Sequence, residues 1–110
     1  RALANLIANA IRYADAGSAI TISSVHSAEH CVVAVYNQGP CIEQPHLEHV
    51  FERFYRADPS RSAPGSTGGL GLAIVQAIMR QHAGHARVCN EGNGVRFELV
   101  FPGTDKMTTA

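Results

Sequence analysis

The stretch Pro64-Gly65-Ser66-Thr67-Gly68-Gly69-Leu70-Gly71-Leu72-Ala73-Ile74 changes from a glycine-rich loop to an apolar helix within a few residues. Closely spaced glycines let the backbone approach a ligand, and the free N–H groups at a helix N-terminus favour an anion such as phosphate. A Walker loop is excluded, because Leu72 and Ala73 follow Gly71 where that motif has Lys and Ser or Thr. A dinucleotide-binding fingerprint is disfavoured, because a polar loop precedes the glycines and Ile74 stands where a third glycine belongs. A flexible linker before an ordinary helix stays open from this stretch alone.

Length and charge restrict the classes of protein to which the chain can belong. Its 110 residues are 45% hydrophobic, which predicts one domain with its own core. Nine basic and nine acidic residues give a net charge of zero, which argues against nucleic acid or an anionic membrane as partner. The three cysteines form neither a disulfide framework nor a zinc motif, so a reducing cytoplasm is expected. No apolar run reaches the length of a membrane span. Because Arg1 falls inside a predicted helix, we expect a fragment of a longer protein.

Hydrophobic periodicity predicts the order of the elements. A helix is expected over residues 1–14, strands over 19–25 and 31–36, a short helix from Pro45 to Phe54, a long loop over 55–68, a buried helix over 69–83 ended by Gly84, and a hairpin of strands 85–90 and 95–101. The strand at 31–36 is expected to be central. This order predicts an α+β fold, a two-layer α/β sandwich with helices on one face of a mixed, mostly antiparallel sheet. The domain is expected to span 1–103, with a disordered tail at 104–110.

Four segments in order resemble the four sequence boxes of the ATP-binding domain of histidine kinases, in the superfamily that also holds gyrase, Hsp90 and MutL. The strings that match best are Asn5-Leu6-Ile7-Ala8-Asn9-Ala10-Ile11-Arg12-Tyr13, Phe51-Glu52-Arg53-Phe54-Tyr55-Arg56 and Gly69-Leu70-Gly71-Leu72-Ala73-Ile74. The remaining box is the loop from Asn37 to Ile42. Within the family, the sequence from Tyr55 to Arg61 looks most like that of sensor kinases that respond to heavy metals. The fold that the resemblance implies is the Bergerat-type ATP-binding fold.

The resemblance implies a site for ATP and Mg²⁺. Its ATP-binding residues would be Asn5, Asn9, Arg12, Tyr13, Asn37, Gly39, Ile42, Phe51, Arg56, Gly69, Leu70, Gly71 and Leu72. Asn9 would be the metal ligand, which suits the preference of Mg²⁺ for hard oxygen donors. Asn5 and Arg56 would be the catalytic residues, with the Arg56 guanidinium reaching the γ-phosphate from a lid.

Three positions depart from the family pattern. Asn37 replaces the usual adenine-reading Asp, and its amide oxygen can still accept a hydrogen bond. Cys41 replaces a glycine, which predicts strain or a shifted loop if the backbone there needs a positive φ. Gly68 replaces a hydroxyl residue and removes one possible phosphate donor. The sister ATPases carry a glutamate where Asn5 stands, and an amide cannot take a proton, so hydrolysis is not the expected reaction.

The function implied is that of a protein-histidine kinase, in which the domain binds Mg-ATP and donates the γ-phosphoryl to a histidine on a separate dimerisation domain upstream. None of the six histidines resembles that acceptor, so the fragment is not expected to autophosphorylate alone. The expected partners are the dimerisation domain and a downstream response regulator. The whole protein is expected to be a membrane-bound homodimer, with this domain on the cytoplasmic side of the inner membrane. The alternatives are a degenerate nucleotide-binding or docking module and a serine kinase of the anti-sigma type.

Overall fold

The computed structural model describes residues 1–52 and 68–103, with backbone only at 68–70. Most of the predicted long loop, including Arg56, lies outside the described residues, as do Phe54 at the end of the predicted short helix and the tail at 104–110. The elements are α1 (Ala2–Tyr13), β1 (Ile20–His26), β2 (His30–Gln38), α2 (Gln44–Leu47), α3 (Gly68–Gln81), β3 (His85–Glu91) and β4 (Gly94–Pro102). None of the helices in these two ranges is long and apolar enough to cross a membrane.

The strands of the described ranges form one sheet in the order β1-β2-β4-β3, and all three neighbouring pairs are antiparallel. As the sequence predicts, β2 is central, and its buried residues alternate between the two faces: Val32 and Ala34 lie on one side, Val35 and Asn37 on the other. The β3–β4 hairpin closes tightly, because Glu91 pairs with Gly94 across the turn. The predicted two-layer α/β sandwich is confirmed.

The core lies between one face of the sheet and the two longer helices. From α1 the apolar residues at four-residue spacing are buried, and α3 contributes Val75 and Met79, which are 0% exposed. They pack on alternate residues of β2 and β4, which all point to the same face: Val35, Val95, Phe97 and Leu99. The amphipathic stripe of α1 and the alternation of the strands therefore meet on one side of the sheet.

The short helix is expected from the sequence to run from Pro45 to Phe54. In the structure it is shorter. It begins with Pro45 in its first turn, a position that proline favours, and ends at Leu47. Beyond it the N–H of His49 donates to the His46 carbonyl oxygen and that of Glu52 to the His49 carbonyl oxygen, both at 2.9 Å. These turns, with hydrogen bonds between residues three apart, are tighter than an α-helix. They bring Val50 and Phe51 onto the core although the helix has already ended.

Candidate functional site

The two asparagines of α1 lie beside the start of α3. Asn5 and Asn9 are one turn apart, so they share a face of the helix, and both are half-buried. The Asn5 Nδ2 group donates a long hydrogen bond of 3.5 Å to the carbonyl oxygen of Gly71. A Cβ atom added at Gly71 would meet nothing within 4 Å, so the first turns of α3 have open space at this position. The structure thus brings the first and last predicted boxes together.

The loop after β2 is packed against the end of α1. The Asp15 N–H donates to the carbonyl oxygen of Gln38 at 2.8 Å. Gly39 has a φ of 157°, and a Cβ added there would lie 2.5 Å from the Tyr13 carbonyl oxygen and 3.3 Å from Asn37 Nδ2. Only glycine fits so close to another backbone. Tyr13, Asn37 and Gly39 are therefore neighbours in the structure.

Asn37 is a buried polar residue at the end of β2, with 3% of its surface exposed. Its Nδ2 group donates to the carbonyl oxygen of Gln38 at 3.2 Å. One of the two N–H groups of the amide is thus used within the chain, and the side-chain oxygen is an acceptor that a ligand could use. The substitution of an amide for the usual carboxylate thus leaves a neutral acceptor at this position.

The same loop is tied to the β3–β4 hairpin by contacts that sequence reasoning missed. The Ile42 N–H donates to Asn90 Oδ1 at 2.9 Å, and Asn90 Nδ2 donates to the Ile42 carbonyl oxygen at 2.7 Å. The Gly39 N–H donates to the carbonyl oxygen of Asn93 at 3.0 Å. Ile42 and Asn90 are 48 positions apart, and no sequence pattern links an asparagine on a strand to a distant loop.

The expected strain at Cys41 is not found. Ala83 is the one non-glycine residue of the described ranges with a positive φ, so the backbone of Cys41 is unstrained. The exposed Cys41 thiol lies over the hairpin turn, 3.7 Å from the carbonyl oxygen of Gly94. A left-handed backbone, which would strain a cysteine, is therefore not required at this position.

Other predicted site residues lie at the end of α1, beside the core and at the start of α3. Arg12 is exposed in the last turn of α1, beside Tyr13, which is 55% exposed. Ile42, Phe51 and Leu72 are partly buried and pack on the core, where the Phe51 ring meets the Phe97 ring edge-on at 6.0 Å. Gly69 and Leu70 belong to the first turn of α3, for which only backbone is described, and Arg56 lies outside the described residues.

A histidine and a glutamate form an ion pair just before residue 53. His49 Nδ1 contacts Glu52 Oε2, and this hydrogen bond, reinforced by the charge of Glu52, raises the pKa of His49 above its ordinary value. Both side chains are substantially exposed, so solvent screens the pair.

The described residues contain no group of three His, Cys, Asp or Glu side chains that could hold a metal ion by themselves. The half-buried amides of Asn5 and Asn9 are instead neutral oxygen donors beside the start of a helix. Such donors fit a hard cation that receives its other ligands from phosphate and water. The arrangement can therefore position a polyphosphate and an associated cation.

Comparison with known proteins agrees with this geometry. A family model described as histidine kinase-, DNA gyrase B- and HSP90-like ATPase matches residues 1–105. The chain is 48% identical over 103 residues to sensor protein IrlS of Burkholderia pseudomallei, covering 93% of this chain and 22% of that protein. It thus spans about a fifth of the length of this relative.

Two solved structures are similar in fold and sequence. The mycobacterial sensor histidine kinase MprB superimposes with a TM-score of 0.81 at 32% identity, covering 93% of this chain and 70% of that one. Histidine kinase ThkA, solved in complex with response regulator protein TrrA, gives a TM-score of 0.76 at 30% identity, covering 96% of this chain and 28% of that one. The predicted resemblance to sensor histidine kinases is confirmed. The chain therefore belongs to the family of histidine kinase-, DNA gyrase B- and HSP90-like ATPases, as a catalytic ATP-binding domain of the sensor histidine kinase type.

Proposed function

We propose that this chain binds Mg-ATP between α1, the loop after β2 and the start of α3, and donates the γ-phosphoryl group to a histidine on a separate domain. The observation that carries the proposal is the contact between Asn5 on α1 and the Gly71 carbonyl oxygen on α3. It sets the asparagine face of one helix beside the N-terminal turns of the other, where free N–H groups and the helix dipole favour phosphate.

Adenine would be recognised by Asn37 at the end of β2 and by the loop that follows it. The buried Asn37 side chain donates one N–H to the Gln38 carbonyl oxygen, and its own oxygen would accept a hydrogen bond from the exocyclic amine of adenine. Because an amide does not titrate, this recognition would not depend on pH. Gly39 and Ile42 would support the base from the same loop, and Tyr13 lies directly against Gly39.

Asn9 would hold the Mg²⁺, with Asn5 in the same site. Bound there, the cation would supply neutralisation of the phosphate charge. Arg12, at the end of the same helix face, would contact a phosphate group with its guanidinium, and Gly69, Leu70, Gly71 and Leu72 would line the phosphates.

The reaction proposed is an in-line displacement. A ring nitrogen of the acceptor histidine forms a bond to the γ-phosphorus while the bond to the β–γ bridging oxygen breaks and ADP leaves. Asn5 cannot accept a proton, so water is not activated at this position. The domain would act by positioning, with Arg56 stabilising the transferred charge.

The rest of the system is proposed from the relatives. ThkA was solved with a response regulator, so we propose a response regulator as the downstream partner of this protein too. The acceptor histidine would lie on a dimerisation domain upstream, within a membrane-bound homodimer of the metal-responsive type whose kinase domain, 1–103, faces the cytoplasm.

The test is calorimetric titration with ADP and a non-hydrolysable ATP analogue, with and without Mg²⁺. We expect magnesium-dependent binding that Asn9→Ala weakens about tenfold, or ~1.4 kcal/mol, because an oxygen ligand is lost. Gln81→Ala, which removes an exposed amide from the far end of α3, is the matched control and should bind as the wild type does. No binding at millimolar nucleotide, a limit of about −4 kcal/mol, would contradict the proposal and favour the degenerate module.

A further inference from the structure

We propose that Asn90 is a positioning residue for the nucleotide base, which holds the adenine-reading loop by pairing its side-chain amide with the backbone of Ile42. This inference rests on the proposed function, because it concerns the same binding site. The β3–β4 hairpin, which carries none of the predicted site residues, thereby becomes part of the nucleotide site.

The two hydrogen bonds between the Asn90 side chain and the Ile42 backbone resemble those of a residue pair in an antiparallel sheet. Asn90 Oδ1 accepts from the Ile42 N–H at 2.9 Å, and Asn90 Nδ2 donates to the Ile42 carbonyl oxygen at 2.7 Å. A side-chain amide has the same donor and acceptor as a peptide group, so it satisfies both backbone groups of one residue at once. Two bonds at these lengths fix the orientation of the peptide groups around Ile42 as well as their distance from β3.

The hairpin holds this loop at more than one point. The Gly39 N–H donates to the Asn93 carbonyl oxygen at 3.0 Å. The Cys41 thiol lies 3.7 Å from the Gly94 carbonyl oxygen. Of these contacts, only the Asn90 pair depends on a side chain that makes two strong hydrogen bonds, so its loss should loosen the loop without removing the others.

Asn90 points toward the loop because of the register of the hairpin. It lies opposite Val95, which belongs to the core on the helix side of the sheet. The neighbouring residue Cys89 lies opposite Arg96 and is exposed. Because successive side chains of a strand point to opposite faces, Asn90 is on the site side and Cys89 on the far side.

Asn90 should affect binding through the fraction of molecules whose loop is in the binding conformation. If the loop is held in its binding conformation by Asn90, its release lowers the fraction of competent molecules and weakens the apparent affinity by that fraction. The loss should fall on ligands that contain the base, because the phosphates are bound at α1 and α3 and not by this loop.

The experiment compares wild type, Asn90→Ala, Asn90→Asp and the control Cys89→Ala for binding of Mg-ADP and of inorganic tripolyphosphate with Mg²⁺. We expect Asn90→Ala to weaken ADP binding about three- to tenfold and leave tripolyphosphate affinity unchanged. Asn90→Asp keeps an acceptor for the Ile42 N–H but sets a carboxylate oxygen against the Ile42 carbonyl oxygen, so it should weaken ADP binding at least as much as Asn90→Ala. Amide hydrogen exchange at Ile42 should accelerate in Asn90→Ala and not in Cys89→Ala.

The possible results separate the two proposals. If wild type binds ADP and Asn90→Ala binds it equally well, the role of Asn90 is overturned and the proposed function stands. If Asn90→Ala loses affinity for both ligands in proportion to a loss of thermal stability, Asn90 supports only the fold and the inference is also overturned. If wild type binds neither ligand, the proposed function fails and this inference with it.

Discussion

The end of α3 depends on the backbone conformations of two adjacent residues. The sequence predicts Gly84 as the residue that ends the helix, but the left-handed residue is Ala83, with a φ of 61°. The Gly84 N–H then donates to the Met79 carbonyl oxygen at 2.8 Å, which closes the six-residue C-terminal motif of a helix. Gly84 is needed for a different reason, because a Cβ added there would lie 2.1 Å from the Val100 carbonyl oxygen.

Substitutions at these two positions should therefore change stability in opposite directions. Ala83→Gly removes the steric cost of a left-handed alanine and should raise the free energy of unfolding by about 0.5–1 kcal/mol, after allowance for the greater freedom of the unfolded chain. Gly84→Ala should lower it by about 2–4 kcal/mol, because the new methyl group collides with backbone. Urea denaturation measures both. A stable Gly84→Ala variant would show that the backbone at Gly84 does not approach β4 so closely.

Among the elements, β3 shows how a sheet edge is protected. In the described sheet β3 has a neighbour on one side only. The side chain of Gln76 on α3 covers part of its open edge, because Nε2 donates to the Ala86 carbonyl oxygen at 3.1 Å and Oε1 accepts from the Ala86 N–H at 2.9 Å. An amide side chain thus satisfies backbone groups that a further strand would otherwise pair with. Near the other end of β3, the side-chain amide of Asn90 likewise bonds to the backbone of Ile42. Contacts between a side-chain amide and a backbone therefore occur at both ends of this strand.

Removing the Gln76 amide should cost stability. Gln76→Ala leaves the N–H and carbonyl groups of Ala86 without their partner in a partly buried position, so the free energy of unfolding should fall by about 1–3 kcal/mol. Gln81→Ala, at an exposed position of the same helix, should change it by less than about 0.5 kcal/mol. Chemical denaturation of the two variants checks this. An equal, small effect in both would mean that water replaces the lost contacts at β3.

Considered as a whole, the molecule has two unlike sheet faces. One carries the core and, at its end, the site. On the other, Glu98 lies directly opposite Arg87 in the β3–β4 register and two residues after Arg96, so all three side chains share a face. Glu98 pairs with Arg87 and also accepts from Arg96 Nε at 2.9 Å, with only 13% of its own side chain exposed.

This cluster should make stability depend on pH. Burial alone would raise the pKa of Glu98, but the hydrogen bonds from Arg96 and Arg87 outweigh it and hold the pKa below its ordinary value of 4.5. A carboxyl group with a lowered folded-state pKa contributes stability above its unfolded-state pKa, and that contribution is lost as the pH falls through the folded-state pKa.

Glu98→Gln should therefore reduce the loss of stability between pH 7 and pH 3, while lowering stability at pH 7. The measurement is the free energy of unfolding in urea across this range, with Glu29→Gln, at an exposed position, as the control. Unchanged pH dependence in Glu98→Gln would show that other carboxyl groups account for acid unfolding.

The sequence by itself determined the elements, the fold class and the positions of the predicted boxes. Helical spacing in residues 1–14, alternation in the strands and the glycines near residue 70 are local signals, because each reflects the period or backbone freedom of a single segment. They placed Asn5 and Asn9 on α1 and Gly39 in the loop after β2. Asn37, which the sequence predicts at the start of that loop, lies instead within β2. They did not predict that α2 ends at Leu47, since tight turns can present the same apolar residues to a core.

Only the tertiary structure decided which of these segments touch. The contact of Asn5 with Gly71 spans 66 positions, and that of Asn90 with Ile42 spans 48. Both depend on the strand order and register that bring distant segments to one end of the sheet, and neither residue type nor spacing encodes such a pairing. The left-handed Ala83 was likewise decided by packing, because Gly84 is required where the connection between α3 and β3 passes close to β4, and the preceding residue must then make the turn.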